Sequence, residues 1–227
     1  MDKDTVIRRE IHTAAAGLHV RETGEGEAPG RTISGYAILF GTPSAPFYSD
    51  DEGEVREVID PEAVTQELLD SSDIKFTLFH DRQLLLARSK QGKGTLTYER
   101  DERGVKFSFE APHTADGEKA LELVRSGIID GCSFAFSTRY YDSAFVERTV
   151  KKEGKKNIVT CRVKVMTGIY DMTLTPDPAY PATEVANREL AQGLAEHPGR
   201  DDEEPEQRDA HLAGYIREMR EAARRRR

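Results

Sequence analysis

The sequence predicts a mainly β protein of the α+β class, a small β-barrel or curled sheet with a few surrounding helices and charged tails. Short stretches of alternating apolar and polar residues, bounded by glycine or proline, recur through the middle of the chain. Only TADGEKALELVRSG carries a complete helix signature. The composition turns strongly polar toward both ends.

Residues 1–30 are expected to be a flexible leading segment, with RETGEGEAPG as its polar, glycine-rich part. The globular domain is expected over 31–187. It opens with RTISGYAILFGTPS, a strand bending into a loop. REVIDPEAV predicts a strand end and a short helix, with Asp60 as N-cap and Pro61 at the first helical position. In DIKFTLFHD the alternation places Ile74, Phe76, Leu78 and His80 on one face of a strand. GTLTYERDERGVKFSFEAP reads as a hairpin: Leu96 and Tyr98 on one arm, Val105, Phe107 and Phe109 on the other, and a polar turn ending in Gly104.

The helix of TADGEKALELVRSG takes Thr114 or Asp116 as cap, an apolar stripe of Ala120, Leu121 and Val124, and Gly127 as its left-handed exit. IIDGCSFAFSTRYYD follows as a strand, and KKEGKKN as a loop tip or hairpin turn. IVTCRVKVMTGIYDMTLTPDPAYPATEV returns as one or two strands with a proline-rich exit. Residues 188–227 form a charged tail in which RDDEEPEQRD is expected to be disordered and HLAGYIREMREAARRRR a short helix with a basic end.

The bulk numbers exclude several classes. With 227 residues the chain suits one sizeable domain with tails. A formal net charge of -8 argues against a general nucleic-acid surface, which needs a basic face. The 2 cysteines are too few for a disulfide framework. No apolar run is long enough to span a bilayer, and the start is charged from its second residue, so a soluble cytosolic protein without membrane contact is expected. No His/Cys/Asp group has ligand spacing, so neither metal nor cofactor is expected.

The candidate chemistry centres on IIDGCSFAF, where Cys132 and Ser133 stand side by side. Alternation turns them to opposite faces; Cys132 goes with Phe134 and Phe136, as a packed free cysteine would. A serine nucleophile needs a base, and histidine is suited to that role. Of the 6 histidines, His12, His19, His197 and His211 fall in expected tails, and His113 in a loop at the helix entrance. His80 stands near the end of a strand and is followed by Asp81, on rigid scaffold. A buried structural histidine and a merely tolerated strand serine would produce the same pattern, so the residues alone leave both readings open. GCS is not the G-x-S-x-G nucleophile elbow.

The ordered pieces GYAILFGTPS, REVIDPEAV, FTLFHDRQLLLARS, a capped helix, SGIIDGCSFAFS and YDMTLTPDPAYPATEV resemble the prohead (procapsid maturation) proteases of tailed phages, serine peptidases related in fold to the herpesvirus assemblins. That family shows a strand ending in His-Asp, a Gly-x-Ser-x-Gly/Ala-[Phe/Tyr] strand after a helix, and a strand leading to Pro-Ala-x-Pro. The resemblance runs from about Thr32 to Val185. It implies an assemblin-like barrel with Ser133 as nucleophile, His80 as general base and Asp171 where the family usually has glutamate. Asp171 is one methylene shorter, and Asp81 is a rival orienter that alternation disfavours. Ala135 stands where a glycine is common. Arg139 and Arg162 are candidate oxyanion helpers beside backbone N–H groups.

The resemblance further implies an endopeptidase that cuts scaffold segments of the major capsid protein, and itself, inside the assembling procapsid in the host cytoplasm. Portal or procapsid contacts and self-association belong to the same expectation, and the charged tail becomes a removable or docking segment. Two other readings remain at this point. A catalytically inactive, protease-like assembly or scaffold module that binds capsid protein predicts His80 and Ser133 far apart or misaligned. A cysteine hydrolase predicts Cys132 facing His80.

Overall fold

A computed structural model describes residues 7–13, 16–21, 29–44, 46, 48–49 and 53–176, with backbone only for 7–13 and 48–49. The order is β1 (Ile7–Thr13), β2 (His19–Val20), β3 (Thr32–Leu39), β4 (Tyr48–Ser49), β5 (Gly53–Ile59), a 3₁₀ turn (Pro61–Ala63), α1 (Gln66–Ser71), β6 (Asp73–Leu78) and β7 (Asp81–Lys90). Then come β8 (Lys93–Gly94), β9 (Thr97–Arg100), β10 (Gly104–Glu110), α2 (Ala115–Arg125), β11 (Gly131–Thr138), β12 (Val146–Glu153), β13 (Lys156–Val163) and β14 (Gly168–Thr175). Among the described residues no helix is long and apolar enough to cross a membrane. The mainly β, α+β class is as the alternation implies.

The strands pair into a 6-stranded sheet (β1-β11-β14-β6-β7-β8) and two 4-stranded sheets (β2-β3-β10-β9 and β12-β13-β5-β4). No closed barrel forms among the described strands, which corrects the barrel expectation. The second and third sheets are joined by the isolated bridge Phe40–Ile59 rather than a continuous ladder, and side chains fill the space between sheets. Phe76 of β6 packs on Phe107 and Phe109 of β10 at centroid separations of 4.4 and 4.7 Å, tilted contacts that tie the first sheet to the second.

The leading segment is a second correction. β1 pairs residue by residue with β11 from Ile7↔Thr138 to Thr13↔Cys132, and β2 pairs with β3, so strands begin well before residue 31. A charged stretch such as IRREIHT looks like a tail by composition, yet charge is also what an exposed sheet edge carries. The tail at 188–227 lies outside the described residues.

The helix follows its signals closely. Thr114 caps α2 by accepting the Gly117 N–H at 3.2 Å, Ala120, Leu121 and Val124 are buried, and Gly127 exits at φ +68°. At the 3₁₀ turn Asp60 is the N-cap residue, but its side chain makes no cap bond and pairs with Arg162 instead. The KKEGKKN hairpin forms between β12 and β13 with Gly154 at φ +64°.

Candidate active site

The site is built around an unusual turn. Phe79 and His80 join β6 to β7, and both have φ +56°. Left-handed backbone costs a residue with a Cβ about 1–2 kcal/mol, and two-residue hairpin turns of this kind usually use Asn-Gly. Two bonds hold the turn: the Phe79 N–H donates to Leu174 O at 3.1 Å, and the His80 N–H donates to Thr173 Oγ1 at 2.9 Å. β6 therefore ends at Leu78, and His80 does not continue its alternation. Ile74, Phe76 and Leu78 point into the core, whereas the turn swings the imidazole to the opposite face, which carries Thr77. Expecting His80 on the core face was wrong because period-2 reasoning stops where a strand stops.

On that opposite face His80 meets Asp171. His80 Nδ1 lies 2.6 Å from Asp171 Oδ2, and both side chains are largely buried, at 12% and 8% exposure. With the carboxylate ionised, Nδ1 carries the proton and donates it, which leaves the basic lone pair on Nε2. The separation is short, as expected of a charge-assisted bond. Thr77 Oγ1 donates to the other carboxylate oxygen, Oδ1, at 3.1 Å. Aspartate reaches the ring despite its short side chain because the turn brings the histidine to it. Asp81 is exposed and accepts the Gln83 N–H at 2.8 Å, so it does not orient the imidazole.

Ser133 comes from β11, whose residues are all buried between β1 and β14. It is the register partner of Thr173, and Ala135 is the partner of Asp171. Directly paired residues share a face, so Ser133, Ala135, Thr173 and Asp171 lie together. Ser133 and His80 thus flank the same threonine. Among the described residues no side chain hydrogen-bonds Ser133 Oγ. The structure brings His80 and Asp171 into contact and sets Ser133 on the same face of the sheet, with no hydrogen bond between Ser133 Oγ and the imidazole.

A bulge keeps this face polar. The register of β14 slips between Ala135 and Phe136, so Tyr170 is the extra residue and Ile169 pairs with Phe136 in the core. Without the slip, Ile169 would share the face of Asp171.

Cys132 takes the other face. It is fully buried in the core cluster, and burial pushes its thiol pKa well above the usual range, which disfavours a thiolate nucleophile. The cysteine reading is therefore contradicted by orientation and by desolvation. The candidate oxyanion arginines are engaged elsewhere: Arg139 stacks over Phe145 at 5.0 Å, and Arg162 pairs with Asp60.

Two histidines set aside as tail residues lie in strands. The register of β1 places His12 opposite Ser133. In β2, His19 Nε2 lies 3.0 Å from Ser34 Oγ and Nδ1 lies 3.0 Å from Gly17 O. The His19–Ser34 pair lines an open groove over β2, β3, β9 and β10 with a volume of about 760 Å³. It is a serine–histidine contact that the sequence did not reveal. Its histidine is exposed and oriented by a carbonyl, and among the described residues no carboxylate meets it to stabilise an imidazolium.

The profile described as caudovirus prohead serine protease matches residues 17–196. Among solved structures the chain is similar to the bacteriophage T4 capsid assembly protease gp21, with 11% identity and a TM-score of 0.41 over 76% of this chain and 100% of that one. No curated protein matches. The family match takes in β2 through β14 and every residue of the buried site, and on that ground the chain belongs to the caudovirus prohead serine protease family.

Proposed function

We propose that the chain is a serine endopeptidase in which Ser133 is the nucleophile, His80 the general base and Asp171 the carboxylate that orients it. The observation that carries this reading is the 2.6 Å bond between His80 and Asp171, on the same face of the sheet as Ser133. Asp171 holds the proton on Nδ1, so Nε2 can accept the Ser133 hydroxyl proton as Oγ attacks the scissile carbonyl. The imidazolium then gives that proton to the leaving amine as the C–N bond breaks, producing an acyl-enzyme. Water, deprotonated by the same nitrogen, releases the acid and restores the serine.

In this reading the substrates are scaffold segments of a capsid-protein precursor, and the chain's own tail, cut inside the assembling procapsid. Self-association and contacts with portal or shell proteins belong to the same proposal. Membership of the prohead protease family supports the setting.

The test combines intact-mass analysis with a fluorophosphonate, which phosphonylates activated serines. Wild type, Cys132→Ala and Ser34→Ala should gain the adduct, whereas Ser133→Ala and His80→Ala should not. Labelling that survives Ser133→Ala but not Ser34→Ala would move the nucleophile to the groove. Co-expression with a scaffold-bearing capsid precursor completes the test. Binding without cleavage by wild type, together with no adduct, would favour the inactive assembly module.

A further inference from the structure

Thr173 Oγ1 sits where three parts of the site meet. Its oxygen accepts the His80 N–H at 2.9 Å, and its proton goes to Thr77 O, also at 2.9 Å. Thr77 Oγ1 lies 3.1 Å from Asp171 Oδ1 and 3.0 Å from Thr173 Oγ1. It has a single proton to give, and the carboxylate is the stronger acceptor. Both threonines are fully buried. One hydroxyl thus grips the backbone of the histidine and the other grips the carboxylate that the histidine meets.

Strand packing does not ask for this arrangement. Valine fits such positions as well in shape, and a buried hydroxyl is costly unless bonded. The β6–β7 register shifts on both sides of Thr77, so the ladder is interrupted where Thr173 binds the Thr77 carbonyl. The interruption lies immediately before the pair of left-handed residues. An uncommon backbone conformation persists only where its surroundings over-determine it.

We infer that Thr173 is a positioning residue: its hydroxyl holds the His80 backbone in the left-handed conformation and so sets where the imidazole meets Asp171, while Thr77 steadies the carboxylate. This rests on the reading of His80 and Asp171 as base and orienter. The Thr173 hydroxyl hydrogen-bonds the backbone of the turn and Thr77 rather than a reacting atom, so it acts through the turn.

The experiment compares wild type, Thr173→Val, Thr173→Ser and Ser133→Ala. The maximal rate and half-saturation concentration of fluorophosphonate labelling are measured, together with the deshielded His80 Nδ1–H proton resonance, assigned by its loss in His80→Gln. Thr173→Val should lower the maximal labelling rate about 10–100-fold with half-saturation unchanged, the scale expected when a reacting group is misplaced by about an ångström. It should also abolish the resonance, and Thr173→Ser should restore both. Wild-type labelling and an intact resonance in Thr173→Val would overturn the proposal, as would a serine variant no better than valine. Should the valine variant not fold, amide hydrogen exchange in wild type decides. A protected His80 N–H is expected, and exchange at the rate of an unstructured peptide would overturn the role. Failure of the underlying reading looks different: Ser133→Ala would label like wild type, while the resonance and the exchange rate would still report on Thr173.

Discussion

At the scale of single residues, the site depends on which atom of His80 carries a proton. Asp171 accepts from Nδ1 at 2.6 Å, and Thr77 occupies its second oxygen. Replacing Asp171 with asparagine keeps the shape but lets an amide N–H face Nδ1, which favours the tautomer with the proton on Nε2. Asp171→Asn should therefore lower the maximal rate of fluorophosphonate labelling by on the order of 10²–10⁴-fold with little change in melting temperature. Stopped-flow labelling and a thermal melt check the two halves of that statement. The opposite facing of Ser133 and Cys132 was legible in the sequence, because a residue inside a strand inherits its side from its neighbours. The orientation of His80 was not, because Phe79-His80 carries none of the Asn-Gly chemistry that marks such a turn.

At the scale of elements, the β6–β7 hairpin presents His80 at its tip and is clamped at its open end. Arg88 Nε and Nη2 each lie 2.7 Å from the Asp73 carboxylate, a two-pronged pair, and Lys75 adds a contact at 3.1 Å. Arg88 beside Asp73 holds that carboxyl well below the ordinary carboxylate range. A carboxyl whose folded-state pKa is depressed contributes stability above its unfolded value, near pH 4, and loses it as the pH falls toward the folded value. The stability advantage of wild type over Asp73→Asn should accordingly be full at pH 6 and shrink steadily below about pH 4. Urea midpoints across that range check this, and the advantage should be modest, since both partners are more than one-third exposed. Helix α2 was readable in full because cap, stripe and exit are all local signals. The short helix α1 went unread: TQELLD offers its Thr65 cap but too few turns to show a period.

At the scale of the whole molecule, the candidate active face exists because the three sheets of the described residues share one core. Phe76 joins the first sheet to Phe107 and Phe109 of the second, and its chain neighbour Thr77 bonds Asp171 on the opposite face. Phe76→Ala should cost about 3–5 kcal/mol of stability, as expected for loss of a fully buried aromatic. It should also weaken fluorophosphonate labelling, because β6 loses the anchor that sets the height of Thr77 and the turn. Urea denaturation gives the first quantity and the labelling rate the second. A variant that loses stability but labels normally would separate the core from the site.

By itself the sequence determined the class of fold, the best helix, the β9–β10 and β12–β13 hairpins and the family, along with the residues worth suspecting. Each of these is written within one element or in the order of successive elements. Only the tertiary structure decided that Asp171 meets His80, residues 91 apart in the chain, through the parallel pairing of β6 with β14. It alone also decided that a β14 bulge sends Ile169 to the core and that, among the described residues, β1 is an edge strand rather than a tail and the sheets remain three. The physical reason is common to all four. Local patterns constrain which way a side chain faces along its own strand, but register, bulges and sheet partners are chosen by contacts between segments far apart in the chain.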